Sequence, residues 1–203
     1  MSLKELASTV SVEHFLTLED IIPTKEGKFL NMYEAIYKRA DGHIKKYELI
    51  SRNKGLTVES FLNKPEICDA IGIIAFNEKK DKILLQKENR LACGDWVYNF
   101  PSGLIEDDES MREAAARELR EETGLELVQV EKWLYNAYTA VGLSDERVNT
   151  VICTAKGEIK PSELEDEEIE AAWYTKEEVL ELIEKRVPMS LRTQSFLWAW
   201  ATF

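Results

Sequence analysis

The chain reads as an α/β fold of the layered kind with a mixed sheet, carrying a smaller antiparallel β-region at its N-terminal side. Two observations predict this. Apolar runs of strand length, AIGIIAF at 70–76 and KILLQK at 82–87, are followed by stretches at helical spacing, and strands and helices interleave irregularly to residue 203. Ahead of them lies a strand-rich, more polar region without a helical pattern.

In that first region, residues 28–40 and 43–55 form a predicted β-hairpin around a short turn that holds Asp41-Gly42. Phe29, Tyr33 and Tyr37 fall on one side of its first strand. An isolated hairpin is only marginally stable, so it is expected to pack against something, a second subunit being the natural partner. A polar, weakly patterned stretch around 53–65 ends at Pro65 and marks the predicted boundary, giving regions 1–65 and 66–203.

The strands 70–76 and 82–87 are joined by a charged turn. Trp96–Phe100 is a short strand leading into Pro101-Ser102-Gly103, with Trp96 and Tyr98 expected in the core beneath the helix that follows. That helix is the best-specified element. Ser110 and Glu113 make a capping box, 111–123 contains no Gly or Pro, Ala114-Ala115-Ala116 has the highest helix propensity, and Gly124 sits where a left-handed cap is wanted. Residues 127–139, 147–156 and 169–174 are strand-like. Thr175 with Glu178 repeats the capping box ahead of VLELIEK, Pro188 ends that helix, and Ser190 to Thr202 reads as a final amphipathic helix.

Composition sets the outer limits. Apolar residues make up 44% of the chain, enough for a substantial core. Net charge is −12, which argues against a general nucleic-acid binder, since that needs clustered positive charge. Three widely spaced cysteines, Cys68, Cys93 and Cys153, suggest free thiols in a reducing compartment. With no apolar run of membrane-spanning length and no signal-peptide core, the expected location is cytoplasmic, with no membrane partner. His14 and His43 are isolated and suggest no site.

The chemistry concentrates on the 111–123 helix. Glu118 and Glu122 are one turn apart and Glu121 is three residues from Glu118, so three carboxylates share adjoining parts of one face. Arg117, four residues from both Glu113 and Glu121, offsets their repulsion only in part. A salt-bridged surface helix would account for such a cluster. So would a hard cation, because Mg2+ takes oxygen ligands and typically binds one or two carboxylates plus substrate phosphates.

The full pattern is longer than the cluster. Gly103, Glu109, Arg117, Glu118, Leu119, Glu121, Glu122, Gly124 and Leu125 spell G-x5-E-x7-R-E-L-x-E-E-x-G-L. This resembles the Nudix box at all nine defining positions. The resemblance implies an α/β/α sandwich across about 66–203 with an added N-terminal β-domain. It also implies a Mg2+-dependent hydrolase, with Mn2+ as the substituting ion, acting on a nucleoside diphosphate linked to another moiety. By the same resemblance Glu118 and Glu122 bind metal, the Ser102 carbonyl is a further ligand, Glu121 assists, and Arg117 orients the others through ion pairs.

Beyond the box, Gly142-Leu143-Ser144-Asp145-Glu146 is similar to the G-x-S-D-E of the ADP-ribose and ADP-sugar pyrophosphatase branch, as is the segment Arg192 to Trp200. That branch implies conversion of ADP-ribose to AMP and ribose 5-phosphate, a homodimer built through the N-terminal β-domain, and a catalytic glutamate at Glu165 or Glu167. Phe29 and Arg52 match positions that hold adenine, Glu146 is a candidate contact near the diphosphate, and Arg90 is a further candidate substrate contact. Alternatively Phe29 is a packing aromatic and Arg52 a surface charge. Two departures keep the substrate open: Val141 stands where the branch carries a proline, and Asn89 where an aromatic usually precedes the arginine. GDP-mannose, another nucleotide sugar, NADH or a nucleoside triphosphate remain alternatives, as does a non-catalytic ligand sensor. The general base is Glu121, Glu165 or Glu167, depending on which carboxylate the metal leaves unbound.

Overall fold

In the computed structural model of this chain, which describes residues 16–66, 68–162 and 168–203, three antiparallel strands come first. They are β1 (Leu16–Glu26), β2 (Asn31–Arg39) and β3 (Ile44–Ser51), in the order β1-β2-β3. The expected hairpin is β2–β3, and β1 extends it by a strand that the sequence pattern hides. Its register slips between Leu18 and Asp20 and again between Pro23 and Lys25, and each slip moves the following side chains to the other face. One face buries Ile21, Tyr33, Ala35 and Leu49 with Leu56, and Val58 and Phe61 pack on them. Those last two sit on a short helix, α1 (Val58–Leu62), within the stretch read as polar and unpatterned. Its capping box pairs Thr57 with Ser60, which lacks the acidic third residue that would have marked it.

The chain divides into two compact units, residues 1–66 with 138–146, and residues 67–137 with 147–203. The excursion 138–146 is tied to the first unit by backbone and side-chain bonds. The Ile50 amide donates to Leu143 O at 3.0 Å and the Tyr47 hydroxyl to Gly142 O at 2.8 Å. Lys64 Nζ lies 3.4 Å from the Asp145 carboxylate.

The second unit holds seven strands, β4 (Ala70–Phe76), β5 (Ile83–Arg90), β6 (Asp95–Asn99), β7 (Ser102–Leu104), β8 (Glu126–Tyr138), β9 (Arg147–Lys156) and β10 (Ile169–Tyr174). The order is β10-β5-β4-β9-β8, with β6 on β5 and β7 on β4. β4 and β9 run parallel over 70–76 and 148–154, whereas β5 is antiparallel to β4, β6 and β10, so the sheet is mixed. Helices cover both faces. Ile71, Ile73, Ala75 and Leu84 pack with Ala114, Ala115 and Leu119 of α2 (Met111–Thr123). The intervening residues Ile74, Ile83 and Leu85 pack with Val179 of α3 (Lys176–Glu184) and Leu197 of α4 (Leu191–Thr202). This period of two, with both sets buried, is what a sheet sandwiched between helix layers requires. Tyr98 joins the second of these cores, edge-on to Tyr174, and Trp96 lies under the Lys87 ammonium, so neither serves the core beneath α2 as expected. Among the described residues no helix is long and apolar enough to cross a membrane.

One detail of the sheet positions the chemistry. β4 and β5, read as neighbouring strands, share a single register pair, Phe76 with Ile83, and then diverge. β6 fills the gap from the β5 side and β7 from the β4 side. Only Phe100-Pro101 separates them, anchored where the Ile73 amide donates to Pro101 O at 2.8 Å.

Candidate active site

The start and end of α2 are fixed as its sequence requires. Ser110 and Glu113 satisfy each other's backbone amides, and Gly124 ends the helix at φ 74° with its amide on Arg120 O. A side chain at Gly124 would strain that left-handed turn and crowd Lys160. With both ends set, Ala115 and Leu119 enter the core, while Glu118 and Glu122 turn toward β7 and are 7% and 3% exposed.

The two carboxylates converge on one short piece of backbone. Glu122 Oε2 accepts from the Ser102 amide at 3.2 Å. Glu118 lies so close to Gly103 that a Cβ there would overlap its carboxylate. Glycine is therefore needed at 103 for close approach, although its own backbone angles are ordinary.

Arg117 organises the acidic face. Nε and Nη2 grip Glu109 as a fork, both at 2.9 Å. Nη1 donates to Glu118 at 2.8 Å and to Glu121 at 3.2 Å, and Nη2 also donates to Leu104 O at 3.0 Å. These contacts use all five guanidinium donors. The Glu109 hydrogen bonds, foremost among several causes, push Arg117 above its ordinary pKa. In return Arg117 holds the Glu109 carboxyl below the usual glutamate range. The helical spacing had paired Arg117 with Glu113 and Glu121. Glu113 instead caps the helix, and Glu109, from the loop before it, takes its place. Loop geometry decides that exchange, which helical spacing alone does not reveal.

The remaining candidates belong to both units. In the first unit, Arg52 Nε is paired with Glu146, which also accepts from the Thr139 hydroxyl at 2.9 Å. Phe29 is 67% exposed with the Lys28 ammonium 4.7 Å from its ring centroid, so it is not a packing aromatic. In the second unit, Arg90 ends β5 and its Nε contacts Glu88 at 2.9 Å. Glu88, which the sequence did not single out, is 6% exposed; two positions before Arg90 on a strand, it shares that residue's face. Glu165 and Glu167 lie outside the described residues.

Glu118 and Glu122 bring two carboxylates to one stretch of backbone, oxygen donors of the kind a hard divalent cation takes, and the space a Cβ would fill at Gly103 belongs to one of them. Among the described residues no three His, Cys, Asp or Glu side chains form a ready-made cage. A carboxylate pair suits Mg2+ better than a cage, because that ion keeps waters and shares substrate phosphates.

The second unit is a layered α/β domain whose α2 folds its acidic face onto β7 at Gly103, and comparison with known proteins gives its class. The model of the NUDIX domain matches residues 67–192, so the chain belongs to the Nudix family. It is 31% identical over 127 residues to an ADP-sugar pyrophosphatase of Mus musculus, covering 61% of this chain and 54% of that protein. It is 30% identical over 126 residues to an ADP-ribose pyrophosphatase of Bacillus subtilis, covering 61% and 67%. The chain thus spans little more than half the length of the mouse relative. A crystal structure of an ADP compounds hydrolase superposes with a TM-score of 0.61 at 19% identity over 91% of this chain and 92% of that one, a likeness of fold.

Proposed function

We propose that this protein hydrolyses the pyrophosphate link of a nucleoside diphosphate sugar with Mg2+ bound, converting ADP-ribose to AMP and ribose 5-phosphate. The observation that carries the reading is the convergence of Glu118 and Glu122 on the Ser102-Gly103 backbone, with Arg117 holding the face together. The printed activities of the mouse and Bacillus relatives support the substrate class.

In this reading Glu118, Glu122 and the Ser102 carbonyl hold the ion. When bound, it would neutralise charge on the phosphate oxygens and acidify a coordinated water. The residues of this chain do the rest. Arg117 keeps Glu118 and Glu121 in place through a guanidinium whose donors are all engaged. Glu121, Glu165 or Glu167 accepts the proton of the attacking water. Arg90 contacts the substrate, Glu146 sits near the diphosphate, and Phe29 with Arg52 receives the base. The exposed face of the Phe29 ring suits stacking, whereas Arg52 must first share its charge with Glu146. The N-terminal β-domain, residues 1–65, joins a second copy of the chain, and the hydrolase domain is 66–203.

The test is a panel of ADP-ribose, ADP-glucose, GDP-mannose, NADH and nucleoside triphosphates incubated with Mg2+ or Mn2+. Turnover of ADP-sugars first supports the proposal. Exclusive cleavage of triphosphates would overturn the substrate, and a fully active monomer in sedimentation would overturn the dimer.

A further inference from the structure

The β5–β6 hairpin carries a cavity of about 400 Å³ that none of the box residues line. Its apolar walls include Val97, Pro188 and Met189. Charged groups stand among them: Glu88 and Arg90 on β5, and Asp95 on β6, opposite Arg90 in the register. The size and the mixture of apolar wall with a few fixed polar groups are those of a small-ligand site, roughly 300–1,000 Å³.

The polar floor is rigid. Glu88 Oε1 accepts from Asn99 Nδ2 at 3.0 Å and from Arg90 Nε at 2.9 Å, and the partly buried Arg192 guanidinium interacts electrostatically with both Glu88 and Arg90. Asn99 is in turn locked, because its Oδ1 accepts from the Phe100 amide and from the Ser190 and Thr193 hydroxyls, each at 3.0 Å. Glu88 Oε2 takes no hydrogen bond from the described residues and is not sealed from solvent. The terminal nitrogens of Arg90 likewise have no acceptor. An open carboxylate oxygen beside open guanidinium nitrogens is matched by a ligand that donates to Glu88 and accepts from Arg90.

We infer that this cavity binds the sugar of the nucleotide-sugar substrate, its hydroxyls donating to Glu88 and Asp95 and accepting from Arg90, its C–H faces on Val97 and Met189. Hydroxyl groups do both jobs at once, which a purely cationic or purely anionic ligand does not. The position fits as well. Asn99, on the cavity floor, is three residues before Ser102, at most about 10 Å of chain from the metal corner, the scale of a sugar attached across a diphosphate. The inference rests on the hydrolase reading above.

Cys93 lines the cavity and supplies a built-in reporter. It is exposed, whereas Cys68 and Cys153 are buried and burial pushes the Cys153 thiol up to about 12. Iodoacetamide labelling of Cys93, read by peptide mass spectrometry, therefore reports occupancy without turnover when the two products are used with Mg2+ as probes. Ribose 5-phosphate is expected to slow labelling about tenfold and AMP to leave it unchanged, the scale of one hydrogen bond to a charged acceptor. Glu88→Gln keeps an oxygen for Asn99 and Arg90 while replacing the acceptor that faces the cavity. It should abolish protection, leave the ligand-free labelling rate at the wild-type value, and raise KM for ADP-ribose about tenfold with little change in kcat. Protection by AMP alone, or none by ribose 5-phosphate in a protein that hydrolyses ADP-ribose, overturns the sugar site and leaves the hydrolase reading standing. Protection by ribose 5-phosphate in a protein that hydrolyses no nucleotide sugar supports the site and overturns the hydrolase reading.

Discussion

The Glu118 carboxylate rests against the Cα of Gly103, in the space a side chain at that position would occupy. A helix residue and a β7 residue fifteen positions apart are thereby made interdependent, and the proposed metal corner depends on both keeping their places.

Gly103→Ala should displace Glu118 more than it unsettles the fold. The obstructed atoms are the end of one side chain, so the stability cost is about 1 kcal/mol, whereas under the proposed function a small shift of the Glu118 carboxylate costs about a hundredfold in kcat. Thermal unfolding alongside steady-state kinetics separates the two. Equal losses of activity and folded protein would contradict this.

Arg117→Lys should not substitute. Lysine cannot reproduce the fork on Glu109 together with the bonds to Glu118, Glu121 and Leu104 O, so destabilisation of about 2 kcal/mol is expected from partly exposed pairs. Urea unfolding measures it, and a midpoint unchanged from wild type would contradict the network.

The acid limb of stability should report Glu109. Its folded-state pKa lies below 4.5, so the unfolded chain binds this proton more readily. The contribution is fully present above about pH 4.5 and lost as pH falls through the lowered folded value. Glu109→Gln should therefore lower Tm at pH 7 and flatten the decline between pH 5 and 3, about the carboxylate range. A decline as steep as wild type would assign it to other groups.

Gln86, fully buried on β5, has no protein hydrogen-bond partner for either side-chain amide atom among the described residues. Gln86→Met keeps the shape and removes both polar atoms, which should stabilise the fold by about 1 kcal/mol in urea unfolding. A loss of stability would mean that the amide is satisfied in solution.

What was legible in the sequence followed from how local its cause was. The capping box at Ser110, the cap at Gly124 and the period that buries Ala115 and Leu119 are all short-range, and α2 appears between Met111 and Thr123 as read. β1 was hidden because two register slips erase its alternation, and α1 because Ser60 replaces the usual acidic partner of Thr57. The grouping of 138–146 with the first unit depends on bonds from Tyr47 and Ile50 that no local pattern announces. In the site, Glu118 and Glu122 were legible from helical spacing. Glu109 as the main partner of Arg117 was not, because loop geometry sets it, and Glu88 could have been found from its strand spacing to Arg90.

The central claim is most directly tested by ADP-ribose hydrolysis with Mg2+ in wild type and Glu122→Gln. The substitution keeps an oxygen for the Ser102 amide and removes the charge. The account predicts Mg2+-dependent turnover that EDTA abolishes, and a fall in kcat of about 10²–10³ in a variant that unfolds near the wild-type temperature. Turnover by Glu122→Gln at the wild-type rate would contradict it.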